Sequence, residues 1–116
     1  MLTISATAQP EVLHKSTLLT PVNSFTSGVE GPAVDDRGNL YAVNYEKQGT
    51  IGQVKPDGTA AVWLVLPEGS IANGIRINSK GQLLLADYTK HNVWKVDPRT
   101  KKISLLAHEP RMNQPN

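Results

Sequence analysis

The chain has 116 residues, enough for one small domain, and its 39% hydrophobic residues and net charge of +2 argue against a disordered polypeptide. It contains no cysteine, which excludes a disulfide framework and a thiolate metal site. Basic residues number 12 against 10 acidic ones, and no apolar run reaches the roughly 18–20 residues that cross a bilayer. We therefore predict neither a nucleic-acid partner nor a membrane partner.

Residues 1–29 form a leader that precedes the first regular pattern. Ala6-Thr7-Ala8 has the small-x-small form of a signal-peptide cleavage site, but only five residues come before it. Two interpretations stay open. A signal-peptide remnant would place the protein in the periplasm or outside the cell, and a simple tail would leave it in the cytoplasm. Residues 17–25 alternate weakly and are either an N-terminal edge strand or a plain lead-in.

The main signal is an internal repeat. EGPAVDDRGNLYAVNY at 30–45 aligns without a gap with NGIRINSKGQLLLADY at 73–88, an offset of 43 residues. GQVKPDG at 52–58 aligns with WKVDPRT at 94–100, an offset of 42. The repeat predicts a first unit over 30–72 and a second over 73–115. The same register puts Asn116 on the first position of a third unit.

Each unit is predicted to contain four short strands, because runs rich in Val, Leu and Ile are separated by turns rich in Gly, Pro and Asp. The predicted strands are 32–35, 39–44, 50–54 and 59–66, then 74–78, 82–87, 92–96 and 102–107. A period of about 40–45 residues with four strands per unit is typical of a β-propeller blade. The predicted fold is all-β, with two four-stranded antiparallel blades and an N-terminal segment.

The first strand of a propeller blade lines the central channel, so the residues at its start in successive blades face one another. Glu30, Asn73 and Asn116 hold that position at equal spacing. One carboxylate with amide oxygens is a hard, all-oxygen ligand set, which suits Ca²⁺ best and Mg²⁺ or Mn²⁺ less well. Each residue by itself has an ordinary explanation in loop or turn chemistry, and the equal spacing is what favours a site.

The runs VEGPAVDDRGNLYAVN, ANGIRINSKGQLLLADYTKHNVWKVDPRTKK and RMNQPN resemble the amino-terminal part of the senescence-marker-protein/gluconolactonase (regucalcin-like) family. The resemblance covers residues 29–116 and implies a six-bladed β-propeller with one divalent metal on the channel axis. That metal is usually calcium, with Mg, Mn or Zn as alternatives. The resemblance also implies hydrolysis of a lactone or small ester.

By this resemblance Glu30 and Asn116 are metal ligands, while Asn73 and Arg111 are substrate-binding residues. The family's remaining ligands and its catalytic carboxylate belong to later blades, so no catalytic residue is assigned in this chain. We expect the chain to be the first two blades of a longer protein, inactive alone and prone to self-association through exposed blade edges. A non-catalytic binding scaffold of the NHL type and a strictosidine-synthase-like propeller are the alternatives.

Overall fold

The structure is a computed structural model that describes residues 14–24 and 26–116. The Ala6-Thr7-Ala8 motif and Phe25 lie outside the described residues. Eight strands follow one another along the chain: β1 (Val29–Val34), β2 (Leu40–Asn44), β3 (Thr50–Val54), β4 (Ala60–Val65), β5 (Ala72–Ile77), β6 (Leu83–Asp87), β7 (Asn92–Val96) and β8 (Ile103–His108). No helix of the described part is long and apolar enough to cross a membrane.

The strands form two sheets, each a four-stranded antiparallel meander. Sheet 1 has the order β1-β2-β3-β4 and sheet 2 the order β5-β6-β7-β8. This confirms the predicted all-β class with two four-stranded antiparallel units. The turns follow the predicted chemistry, since the glycines at Gly38, Gly58 and Gly81 all adopt positive φ angles.

The inner strands, β1 and β5, are the first strand of each sheet. Their predicted starts were wrong by a few residues. β1 begins at Val29 and β5 at Ala72, ahead of the proline and glycine that the sequence pattern took as first residues. Both strands carry one extra residue near their start, between Glu30 and Ala33 in β1 and between Ala72 and Gly74 in β5. A β-bulge of this kind lets pairing continue past a residue that cannot join the ladder.

Of the two interpretations of residues 17–25, the edge strand is not seen in the described part, because residues 14–24 contain no strand. Leu18 and Val22 in this segment are 81% and 77% exposed. The chain joins sheet 1 only just before β1, where the Tyr45 amide donates to the Gly28 carbonyl at 3.0 Å and the Glu46 amide donates to Thr26 Oγ1 at 3.2 Å.

The hydrophobic core lies between the two sheets. One face of sheet 1 packs against one face of sheet 2. Burial of apolar surface in this way stabilises the fold by about 25 cal/mol for each Å² removed from water. Trp63 and Trp94 are partly buried and pack against this core. The buried members of this interblade core are Tyr41, Val43, Ile51, Leu64, Leu66, Ala72, Ile75, Leu83, Leu85 and Val96.

Candidate functional site

The two bulges lie at the same end of the two inner strands. In sheet 1 the bulge follows Glu30, and in sheet 2 it contains Asn73. Bulges re-aim side chains and are common next to functional sites. The sequence repeat therefore becomes a structural repeat at the end of the strands where the candidate residues lie.

Two glycines allow the chain to approach itself closely at this end. A Cβ on Gly31, whose φ is +46°, would lie 2.8 Å from the Asn73 carbonyl oxygen and 2.8 Å from Gly74 Cα. A Cβ on Gly74 would lie 2.9 Å from the Asn116 carbonyl carbon. Because real Cβ atoms do not come so close to backbone, both positions need glycine. The same contact recurs one repeat later, and it puts Asn116 in the position that Asn73 holds in the preceding unit.

The close approach brings the two predicted metal ligands to one cavity. Glu30 and Asn116 both line an open cavity of about 480 Å³, and both side chains are exposed. The opposite wall is the apolar face of sheet 2, formed by Leu84, Ala86 and Val93. Two polar residues separated by two repeats in the sequence therefore share a pocket with an apolar wall.

The two predicted substrate-binding residues are not among the residues that line this cavity. The Asn73 carbonyl oxygen faces Gly31, and Asn73 is not among the residues that line the cavity. The Arg111 side chain is 89% exposed in the turn after β8 and pairs with Glu109, with 3.0 Å between Arg111 Nε and Glu109 Oε1. The side-chain hydrogen bond from Arg111 is the main cause that lowers the pKa of Glu109. Neither Asn73 nor Arg111 joins Glu30 and Asn116.

Arg76 lines the same cavity and was missed from the sequence. It is exposed, and its Nη1 donates to the Ile75 carbonyl oxygen at 3.0 Å. Arg76 and Gly74 are two residues apart on β5, so both lie on the same face of the sheet. The two-residue alternation of a strand was the sequence signal that could have identified Arg76 as a cavity residue. The cavity thus combines a carboxylate, a guanidinium and an amide.

His91 positions the segment that leads to Asn116. Its carbonyl oxygen accepts the Glu109 amide at 3.2 Å, and its Nδ1 contacts the Met112 carbonyl oxygen. His91 has a φ of +57° at the place where the first unit has Gly49, whose φ is +79°. The repeat alignment of His91 with a glycine was the sequence signal for this role, because a non-glycine residue in this region marks a special backbone position.

Asp87 lies at the end of β6 and is fully buried. Oδ2 accepts hydrogen bonds from Trp94 Nε1 at 2.9 Å and Asn92 Nδ2 at 3.2 Å. Oδ1 accepts from the Thr89 hydroxyl and from three backbone amides, those of Ile71, Thr89 and Lys90. Asp87 therefore ties the loop before β5 and the turn after β6 to the end of its own strand.

These hydrogen bonds also set the pKa of Asp87. Burial alone would raise the pKa of this carboxyl, but the donors around it lower the pKa below its usual value, so the group stays ionised. The Ser70 hydroxyl contributes to the lowering through its proximity, although its geometry does not amount to a hydrogen bond. Asp87 is a structural acceptor and is not among the residues that line the cavity.

The oxygen atoms at the cavity are of the type that binds a hard divalent cation. Glu30 supplies carboxylate oxygens and Asn116 an amide oxygen, the ligands that Ca²⁺ takes in proteins. Within residues 14–24 and 26–116 no group of three or more His, Asp or Glu side chains converges on one point. These residues supply only part of a six- to eight-oxygen shell, so a cation held by them alone would bind weakly.

Comparison with known proteins supports the fold. No family model matches the chain, and no curated protein matches it. Among solved structures, the chain is similar to selenomethionine-substituted virginiamycin B lyase from Staphylococcus aureus, a β-propeller protein, with 15% sequence identity and a TM-score of 0.61. The match covers 74% of this chain and 28% of the lyase chain. The chain therefore spans about a quarter of the length of that structure, and its two sheets are β-propeller blades.

Proposed function

We propose that this chain supplies two blades and part of the metal site of a divalent-metal-dependent hydrolase that opens a lactone or cleaves a small ester. The observation that carries the proposal is the shared cavity of Glu30 and Asn116. The two residues lie two repeats apart. Glu30 directly precedes Gly31 in β1, and Asn116 lies against Gly74 of β5, which supports a shared site. The sequence resemblance to the gluconolactonase family supports the same assignment.

The residues of the cavity have distinct roles in this proposal. Glu30 and Asn116 would hold the cation, most favourably Ca²⁺, through oxygen atoms. When bound, such an ion supplies Lewis acidity toward the carbonyl of an ester or lactone. The apolar wall of Leu84, Ala86 and Val93 excludes water from one side of the substrate. Arg76 is placed to orient an oxygen-rich substrate by hydrogen bonding.

The first experiment measures calcium binding. Isothermal titration of the 116-residue chain with CaCl₂ is expected to give a dissociation constant on the order of 10⁻⁴–10⁻³ M, the range of sites with few charged ligands. E30Q removes the one carboxylate of the site and should abolish the heat. E68Q is the matched control, because Glu68 is exposed in the loop after β4 and does not line the cavity. Binding that survives E30Q would contradict the ligand assignment.

The second experiment measures hydrolysis by the polypeptide that carries this chain. A small sugar lactone is the substrate, and acid release is followed with calcium present and after chelation. We expect activity that depends on the metal and falls at least about 100-fold in E30Q, as for loss of an electrostatic stabiliser. Activity that is unaffected by chelation and by E30Q would overturn the proposal. An absence of any hydrolysis, with partner binding retained, would favour the non-catalytic scaffold.

A further inference from the structure

Each sheet has one face that the other sheet does not cover. Residues directly opposite each other on neighbouring strands share a face, which defines the two surfaces. The outer face of sheet 1 is apolar and consists of Val34, Leu40, Val54 and Ala60 in one row and Ala42, Gly52 and Val62 in the next. The open face of sheet 2 consists of Arg76, Leu84, Lys95 and Ser104 in one row and Gly74, Ala86, Val93 and Ala107 in the next. None of these residues belongs to the interblade core.

The contact between the two sheets is a template for covering both faces. On the covered face of sheet 1, the core residues Tyr41, Val43 and Ile51 have as repeat equivalents Leu84, Ala86 and Val93 of the open face of sheet 2. On the covering face of sheet 2, the core residues Leu83, Leu85 and Val96 have as repeat equivalents Leu40, Ala42 and Val54 of the outer face of sheet 1. The outer face of sheet 1 therefore corresponds to the surface that covers such a sheet, and the open face of sheet 2 to the surface that is covered.

Both faces leave apolar side chains in contact with water. Val34 and Val62 on the outer face of sheet 1 are 60% and 40% exposed, around the buried Ala42 and Val54. On the open face of sheet 2, Leu84 is partly exposed and lines the open cavity. Apolar surface of this kind gains free energy when another protein surface removes it from water.

The charges of the two units favour contact between unlike faces. Residues 30–72 contain six acids and three bases, whereas residues 73–115 contain three acids and eight bases. On the open face of sheet 2, Arg76 and Lys95 flank Leu84, and within the described part of the chain neither pairs with a carboxylate. Two open faces brought together would oppose these cations, whereas an outer face of sheet 1 brings an acidic unit to a basic one.

We propose that a second copy of this chain covers the open face of sheet 2 with the outer face of its own sheet 1. The contact is head-to-tail, because it joins two different faces, and it can therefore repeat from copy to copy. Asn116 already lies against Gly74, so the copy seats on β6, β7 and β8 rather than at the start of β5. The second copy also supplies the wall that the open cavity lacks. The proposal rests on the faces and their charges, so it can fail while the proposed metal site and hydrolysis stand.

The first test is sedimentation velocity of the 116-residue chain over a range of protein concentrations. The parent chain should associate as its concentration rises. L84E puts a carboxylate between Arg76 and Lys95, where it is paired in the single chain, and V62K puts a cation on the outer face of sheet 1. Each variant should weaken association at least about 100-fold, because it opposes like charges across the contact. A parent chain that stays monomeric, or association unchanged in both variants, would overturn the proposal; the second result would indicate pairing through blade edges.

A mixture of the two variants tests the direction of the contact. L84E keeps an intact outer face of sheet 1, and V62K keeps an intact open face of sheet 2. An equimolar mixture should therefore form dimers, while each variant alone stays monomeric. Full association of either variant alone would mean that like faces pair, and it would refute the head-to-tail arrangement.

Two further measurements guard against non-specific effects. L105K is the control, because Leu105 lies opposite Trp94 on the other face of sheet 2 and is 54% exposed. It should associate as the parent chain does, and a loss as large as in V62K would refute the assigned faces. In the parent chain, sodium chloride should weaken association by screening the attraction of the two units. Association that salt strengthens would indicate contact between units of like charge and contradict the proposal.

Discussion

The two blades share one architecture, but at two equivalent positions aspartate in one blade is replaced by asparagine in the other. At the first hairpin turn, sheet 1 has Asp35 and sheet 2 has Asn78. At the end of the second strand, sheet 1 has Asn44 and sheet 2 has Asp87. The first exchange leaves the local bonding almost unchanged, whereas the second changes it completely.

At the hairpin turn one side-chain oxygen is enough to accept both backbone amides of the turn. Asp35 Oδ1 accepts the amides of Arg37 and Asn39 at 3.0 and 2.8 Å. Asn78 Oδ1 accepts the amides of Lys80 and Gln82 at 3.0 and 3.0 Å. The geometry is that of a side chain bonding its own turn, which aspartate and asparagine both provide.

At the strand end the two residues differ because of their neighbours. Both are fully buried. Asp87 uses both oxygens for donors from two loops and Trp94. Asn44 Nδ2 donates to Thr50 Oγ1 at 2.6 Å, and its Oδ1 has no partner among the described residues. The equivalent of Trp94 in the first unit is Gly52, so an aspartate there would be a buried charge without this donor.

The largest expected effect follows from D87N. The amide removes the charge and puts an N–H group opposite donors, so the free energy of unfolding should fall by about 3–4 kcal/mol. The variant N44A loses one bond to Thr50 and leaves a small buried cavity, so it should cost about 2 kcal/mol. Urea unfolding at pH 7 measures both. Equal losses would mean that the two strand ends are equivalent, contrary to the contrast drawn above.

G31A tests the close approach that joins the blades. The new Cβ meets backbone atoms at 2.8 Å and the φ is positive, so we expect a loss of about 2–3 kcal/mol in the free energy of unfolding. G81A is the control, because its φ of +73° is similarly unfavourable but no atom lies within 4 Å of the added Cβ. It should cost about 1 kcal/mol. A loss in G31A no larger than in G81A would show that the backbone around Asn73 and Gly74 shifts to accept the new Cβ at no cost.

The pH dependence of unfolding should distinguish the two strand ends further. The folded-state pKa of Asp87 is lowered relative to the unfolded chain. Its contribution to stability is therefore fully present above the unfolded value of about 3.9 and is lost as the pH falls through the folded pKa. Urea unfolding between neutral pH and strongly acidic pH should show this loss in the parent chain. In D87N the loss should be smaller, and an unchanged acid profile would remove Asp87 as its source.

The smallest effect is expected for D35N. Asn78 demonstrates that an amide performs the same capping at the equivalent turn. The bonds that Asp35 Oδ2 accepts from Tyr41 Oη and Asn39 Nδ2 are the ones affected, and a rotated Asn39 amide can accept from the new N–H as Gln82 accepts from Asn78. The free energy of unfolding at pH 7 should fall by less than about 1 kcal/mol. A loss comparable to that of D87N would show that the carboxylate of Asp35 supports the interblade packing rather than its own turn.

Much of the fold could be predicted from the sequence because the repeat and the turns are local signals. Proline, glycine and aspartate at fixed offsets mark the hairpins, and β2, β3, β6 and β7 agree with prediction to within one residue. The starts of β1 and β5 could not be predicted in this way. Bulges depend on which partner residues the ladder finds across the sheet, and Gly31 and Pro32 resemble a turn when taken alone.

The candidate site was predictable only in part. Equal spacing identified Glu30 and Asn116, and the structure brings both to one cavity. Spacing could not separate them from Asn73, whose bulge directs its carbonyl oxygen toward Gly31. Arg111 resembled a site residue by position along the chain, but Glu109 two residues earlier holds its guanidinium in the local turn.

The sequence by itself determined the β class, the two units and the turns, since these depend on residue types at short separations and on a repeat. Only the tertiary structure decided which face of each sheet is covered. Tyr41, Val43 and Ile51 are buried against sheet 2, whereas their repeat equivalents Leu84, Ala86 and Val93 line an open cavity. Similar apolar residues have different environments because burial depends on the neighbouring sheet, which the sequence of a single blade does not contain.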